Sequence, residues 1–134
     1  MNAMARAAVR PPITVGETDA ERLTALALQM EGRHPDVAGL LLDELERARV
    51  RPDAAVPKGV VGMDCLVEFV DEAHGAPRKV QLVYPAEADI AAGRVSVMTH
   101  VGAGLLGLAE GQAILWPDRD GRRRPLRILS VQRP

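Results

Sequence analysis

Cysteine and aromatic residues are almost missing from this chain, and so is any excess of charge of one sign. The single cysteine, Cys65, excludes an intrachain disulfide framework and a thiolate zinc cage. It sits in an apolar, strand-like run, so a buried and inert thiol is expected. The aromatics are Phe69, Tyr84 and Trp116 alone. Binders of single-stranded nucleic acid stack bases on aromatic platforms, and three scattered rings make a poor one. The formal net charge is −1 and the sequence pI about 6.3, so no overall field draws the chain to nucleic acid or to an anionic membrane. The longest apolar stretch, Val101 to Ala109, is less than half of the ~20 residues that span a bilayer. The start carries two arginines but no apolar signal-peptide core, and a reduced, cytoplasmic setting is expected.

What is present is a folding composition, 47% hydrophobic with 26% charged residues, enough for a helix pair and one compact domain within 134 residues. Residues 1–12, MNAMARAAVRPP, look unable to bury anything and read as a flexible start. Residues 13–50 read as a short antiparallel helical hairpin. Thr18-Asp-Ala-Glu21 has the form of a capping box, and Leu23, Leu26, Ala27 and Met30 follow at helical spacing. The first helix is expected to end near Gly32. A second starts at Pro35, with Asp36 favourable to the helix dipole. Its stripe is Val37, Leu40, Leu41, Leu45 and Ala48, and Pro52 stops it.

Residues 51–63, with Pro52, Pro57 and Gly59, read as a linker to a domain over 64–134. There the periodicity changes to that of strands. Cys65 to Val70 alternate, His74-Gly75-Ala76-Pro77 turns the chain, and Lys79 to Tyr84 return. Ala86 to Ala92 form a short turn or helix, and Arg94 to Met98 a third strand. Val101 to Leu108 read as a short buried helix and Gln112 to Trp116 as a fourth strand. Asp118 to Gly121 turn into a last strand, Pro125 to Val131. The fold class is α+β, an antiparallel sheet with one helix against it.

The chemical motifs are few. Gly102-Ala-Gly104-Leu-Leu-Gly107 matches the spacing of a dinucleotide fingerprint, but no βαβ unit fits in the remaining chain. Small residues that let a helix sit close to a sheet explain it better. His34, His74 and His100 are too dispersed to propose a metal site, and neither Ser96 nor Ser130 has a nucleophile elbow. Glu44 and Glu46 lie beside Arg47 and Arg49, where solvated surface charge is the default. No nucleophile, base and oxyanion site assemble, so the chain reads as a non-enzyme without cofactor or metal. Arg119, Arg122, Arg123, Arg124 and Arg127 form one basic cluster on a hairpin. It could meet phosphates or a partner's carboxylates, or simply protect an edge strand. Glu31 and Asp36 flank the turn between the helices, as ordinary terminal charges or as functional ones.

From Val95 onward, SVMTHVGAGLLGLAEGQAILW, a turn with Gly121, and PLRILSV resemble the C-terminal domain of the Gre transcript-cleavage factors. The Leu82-Val-Tyr-Pro85 strand end, the Thr18-Asp-Ala-Glu-Arg22 helix start and the short hairpin narrow the resemblance. They point to the Rnk branch, the regulators of nucleoside diphosphate kinase. The resemblance covers residues 13 to 133. It implies an FKBP-like domain that docks on the rim of the secondary channel of bacterial RNA polymerase, with the hairpin pointing into that channel.

In true Gre factors a long coiled coil carries tip carboxylates that hold a catalytic metal. Here each helix has about 14 residues and reaches about 20 Å, so Glu31 and Asp36 are expected to fall short of the active centre. Competition with Gre factors, without stimulation of transcript cleavage, is the implied activity of a monomer. The implied contacts are Met98, Thr99, His100 and Val101, although family members often have Ser-Pro or Ala-Pro where Thr99-His100 stand. Rival readings are a nucleic-acid-binding module using the arginine hairpin and a peptidyl-prolyl isomerase, whose pocket would need the aromatics to converge. Direct contact with nucleoside diphosphate kinase ranks last.

Overall fold

The computed structural model describes residues 10–72 and 75–134; residues 1–9 of the flexible start expected over 1–12 and the His74 part of the expected turn lie outside them. The chain opens with a short strand, β1 (Thr14–Gly16), and two helices, α1 (Glu17–Met30) and α2 (Pro35–Arg47). A second short strand, β2 (Arg49–Arg51), follows and pairs in parallel with β1, Thr14 opposite Arg49 and Gly16 opposite Arg51. This pair was not legible in the sequence. Both strands have three residues, and every residue of β2 is on the exposed side, so the pattern is too short to announce them.

Beyond lies a curled five-stranded sheet in the order β5-β4-β3-β7-β6. Its strands are β3 (Leu66–Asp71), β4 (Pro77–Val83), β5 (Arg94–Ser96), β6 (Ala113–Pro117) and β7 (Arg123–Gln132). A short helix, α3 (His100–Leu105), packs against it. The expected all-antiparallel sheet needs one correction: β5 runs parallel to β4, because two 3-10 turns, Pro85–Glu87 and Ile90–Ala92, carry the chain back to the starting edge. The remaining ladder pairs are antiparallel.

The two helical stripes meet each other and the sheet in one core. Leu23 and Ala27 of α1 and Val37, Leu41 and Leu45 of α2 are buried in the same cluster as Val67, Phe69, Leu82 and Ile128. Each fully buried leucine contributes roughly 1.5–3 kcal/mol relative to exposure. The glycines of Gly102-Ala-Gly104 serve close packing. A Cβ on Gly102 would stand 2.1 Å from the Ser96 carbonyl oxygen, and one on Gly104 2.8 Å from the Trp116 ring.

Four local details add to or differ from the expectations for physical reasons. Thr18 lies inside the first turn of α1, so its hydroxyl cannot act as the cap of a capping box. The cap arrives from a distance: Asp53 accepts the Thr18 N–H at 3.0 Å and also the Thr18 hydroxyl. Residues 51–63 are pinned as well as connecting. Met63 N–H donates to Asp19 at 3.1 Å, and Val61 exchanges backbone hydrogen bonds with Gly107 and Leu108 at 2.9 Å. Glu44 is not solvated surface charge. Its side chain has no exposure, because Arg47 grips both oxygens at 2.7 and 2.8 Å and Arg10 adds a third contact at 3.2 Å. The described end of the first dozen residues is therefore an ordered strap: Pro11 is buried and its carbonyl accepts from Arg47 at 2.6 Å.

Candidate docking cleft

The strand end before α3 builds the centre of the site. Ser96 is buried, and its hydroxyl accepts the Met98 N–H at 2.9 Å while its carbonyl accepts the Thr99 hydroxyl at 2.7 Å. Thr99 in turn caps α3 by accepting the Gly102 N–H at 3.1 Å. The Trp116 indole N–H donates to the His100 carbonyl at 2.6 Å. Met98, Thr99, His100 and Val101 are thus held as one shaped loop. Ser96 and Trp116 position it, a role that the sequence reading did not assign to either. The faint signal for Ser96 was a serine at the end of an apolar strand, two residues before the loop.

This loop lines a cleft of about 530 Å³. Phe69 and Leu126 of the sheet, Trp116 of β6 and Val37 of α2 supply apolar surface. Arg78 sits 5.6 Å from the Phe69 ring centroid. Of the basic hairpin, Arg119 and Arg124 line the cleft, together with Asp118 and Asp120. Asp118 organises that turn by accepting the Asp120 and Arg122 N–H groups at 2.8 and 3.0 Å and the Arg124 Nε–H at 2.7 Å. The Arg124 hydrogen bond holds the Asp118 carboxyl below its ordinary range, and Asp118 reciprocally raises Arg124. Three arginines, Arg78, Arg119 and Arg124, face three aspartates, Asp71, Asp118 and Asp120, so the cleft is close to neutral.

The basic cluster is less free than its sequence suggests. Arg124 pairs with Asp118 and Asp71, and Arg127 with Glu72 at 2.6 Å, while Arg119, Arg122 and Arg123 are exposed. Glu31 and Asp36 are exposed at the turn between the helices and at the start of α2. Among the residues around that turn, His34 lines the cleft. Phe69 and Trp116 share the cleft, and Tyr84 does not.

A second, smaller cavity of about 290 Å³ lies where α1 meets the sheet, lined in part by Asp19, Asp53, Cys65 and Arg133. Burial raises the Asp19 carboxyl and the Cys65 thiol above their ordinary values. Among the described residues no group of three His, Cys, Asp or Glu could hold a metal ion, and no helix is long and apolar enough to cross a membrane.

Two helices ahead of a curled, mostly antiparallel sheet, with a cleft beside the short helix, make the fold of the Gre-type factors. The chain belongs to the GreA/GreB family, in its Rnk branch: the C-terminal model of the transcription elongation factors GreA/GreB matches residues 56–133, and the Rnk N-terminus model matches residues 11–50. It is 36% identical to the regulator of nucleoside diphosphate kinase of Escherichia coli K12, over 92% of this chain and 90% of that protein. It is 35% identical to the transcription elongation factor GreA of Alkalilimnicola ehrlichii over 77% of this chain and 63% of that protein. Among solved structures, a GreA/GreB elongation factor from Nitrosomonas europaea superposes with a TM-score of 0.71 at 35% identity, covering 92% of this chain and 99% of that one. These relatives are named as a regulator or as elongation factors, not as enzymes.

Proposed function

We propose that this protein binds bacterial core RNA polymerase at the rim of the secondary channel, as a monomer in the cytoplasm, and competes there with Gre factors without stimulating transcript cleavage. The observation that carries the reading is the cleft. In a chain of the GreA/GreB family, it brings the Met98–Val101 loop and the Arg119 turn onto one partly apolar surface of near-neutral charge. Buried apolar anchors ringed by polar groups are what a protein partner needs, whereas a phosphate backbone would call for unpaired positive charge. Arm length supports the lack of cleavage activity. Helices of 14 and 13 residues extend about 20 Å, which leaves Glu31 and Asp36 short of an active centre deep in the channel.

The rival readings have less behind them. An FKBP-like curl does not by itself license prolyl isomerisation, and only Phe69 and Trp116 of the three rings line the cleft. Nucleic-acid binding would rest on Arg119, Arg122 and Arg123, since Arg124 and Arg127 already hold carboxylates. Co-elution of the purified protein with core polymerase on a sizing column, with and without excess Gre factor, tests the proposal. Co-elution abolished by the Gre factor is the expected result. Absence of co-elution at micromolar protein and low salt would remove the reading.

A further inference from the structure

The turn between the two helices does not stand apart from the docking loop. His34 in that turn and Val37 in the first helical turn of α2 line the same cleft as Met98, Thr99, His100 and Val101. Val37 is buried and belongs to the core, while His34 is exposed and available to a partner.

The wall they form is fixed in place. Arg10 reaches Glu44 of α2 at 3.2 Å and lies 5.6 Å from the ring centroid of Trp116, itself a cleft residue. Arg47 of α2 holds the Pro11 carbonyl at 2.6 Å, and Gln112 holds the Pro12 carbonyl at 3.3 Å. The strap over residues 10–12 therefore joins α2 to the sheet on one side of the cleft. The helix pair cannot swing away without stripping the buried Glu44 of a guanidinium partner.

We infer that His34 is a docking and specificity residue: the turn of the helix pair forms one wall of the polymerase-binding cleft, so the short arm grips the rim instead of only projecting from it. The inference rests on the docking function proposed above and extends it to a residue of the arm. A partner seated in an open cleft touches each element that lines it, so a residue on the rim adds to affinity through the contacts it makes. A carboxylate at position 34 would add a fourth acid to the three aspartates that line the cleft, breaking its balance with the three arginines.

The test is titration of fluorescently labelled full-length protein with core polymerase, comparing His34→Ala, His34→Glu, Thr99→Arg and Gln29→Ala. Gln29 is exposed on α1 and is not among the cleft residues, so its variant should bind as the parent does. Both His34 variants are expected to weaken binding about fivefold or more, with thermal melting unchanged. Thr99→Arg, which plugs the cleft, should abolish it. Parental affinity in both His34 variants, with binding lost in Thr99→Arg, would overturn the inference and leave the docking reading standing. Unchanged binding by Thr99→Arg, or no binding by the parent, would bring down both. As a second readout, a photo-crosslinking residue at position 34 should capture a polymerase subunit, and excess Gre factor should suppress that capture. Capture that persists under saturating Gre factor would also overturn the inference.

Discussion

Replacing Glu44 by alanine tests whether the N-terminal strap and α2 form one structural unit. The Glu44 side chain is wholly buried and meets three guanidinium contacts, at 2.7 and 2.8 Å from Arg47 and 3.2 Å from Arg10. Removing one member of a buried ion pair costs about 3–5 kcal/mol, mostly because the remaining charge is left unpaired. Here the Arg10 and Arg47 side chains keep 35% and 24% of their exposure, so both can regain water and the low end, about 3 kcal/mol, applies. With a urea slope of about 2 kcal/mol per molar, the unfolding midpoint should fall by about 1.5 M. Urea titration followed by circular dichroism and Trp116 fluorescence measures it. Arg10 faces the indole ring, so the fluorescence should also change in the folded baseline. A midpoint shift below about 0.3 M would refute the reasoning, since the carboxylate would then contribute no more than a surface pair. The double variant with Arg10→Ala adds a check. If the strap acts through Glu44, the two losses together should be smaller than their sum.

Three further outcomes follow from other parts of the fold. Gly102→Ala should destabilise the protein by about 1–3 kcal/mol in chemical denaturation and weaken polymerase binding, because the new methyl meets the Ser96 carbonyl oxygen that anchors the docking loop. Asp19 has a carboxyl raised by burial, so its contribution to stability is full below the unfolded value near pH 4 and is lost as pH rises through the folded value. Asp19→Asn, which can still accept the Met63 N–H, should therefore match or exceed the parent at pH 7, with the advantage vanishing below about pH 4; a variant less stable at pH 7 would contradict this. Asp53 runs the opposite way: its hydrogen bonds from Thr18 lower its pKa, so its contribution holds above about pH 4 and is lost as pH falls through the lowered folded value. Asp53→Ala should lower the melting temperature and speed amide exchange in the first turn of α1, and unchanged exchange there would show that the remote cap does not act.

Where side-chain periodicity sets structure, the sequence was readable. The 3.6-residue stripes of α1 and α2 and the alternation around Val67 and Phe69 each have one buried face, and that face is what the pattern records. The order of turns and strands from Val95 onward was equally legible, whereas the meeting of the Met98–Val101 loop and the Arg119 turn in one cleft was not. What escaped was everything decided by long-range partners. Glu44 looks like any helix-surface acid until the strap from Arg10 is laid over it. Asp53 lies 35 residues from the Thr18 it caps, a separation that no local motif describes. The sense of β5 depends on how two 3-10 turns steer the chain, and a three-residue strand carries too little pattern to reveal its direction. His34 was read as one of three dispersed histidines because the cleft it shares with Thr99 exists only after α2 packs on α3.

The parallel clasp of β1 on β2 makes the arm a cassette. With Thr14 beside Arg49 and Gly16 beside Arg51, the chain leaves the body and re-enters it at one place, whatever length of helix lies between. One extra heptad in each helix would lengthen the arm by about 10 Å without altering either splice point. That gain would carry His34 past the cleft. The present helices end beside the Met98–Val101 loop, and on the docking reading proposed above a longer insert would exchange grip for reach.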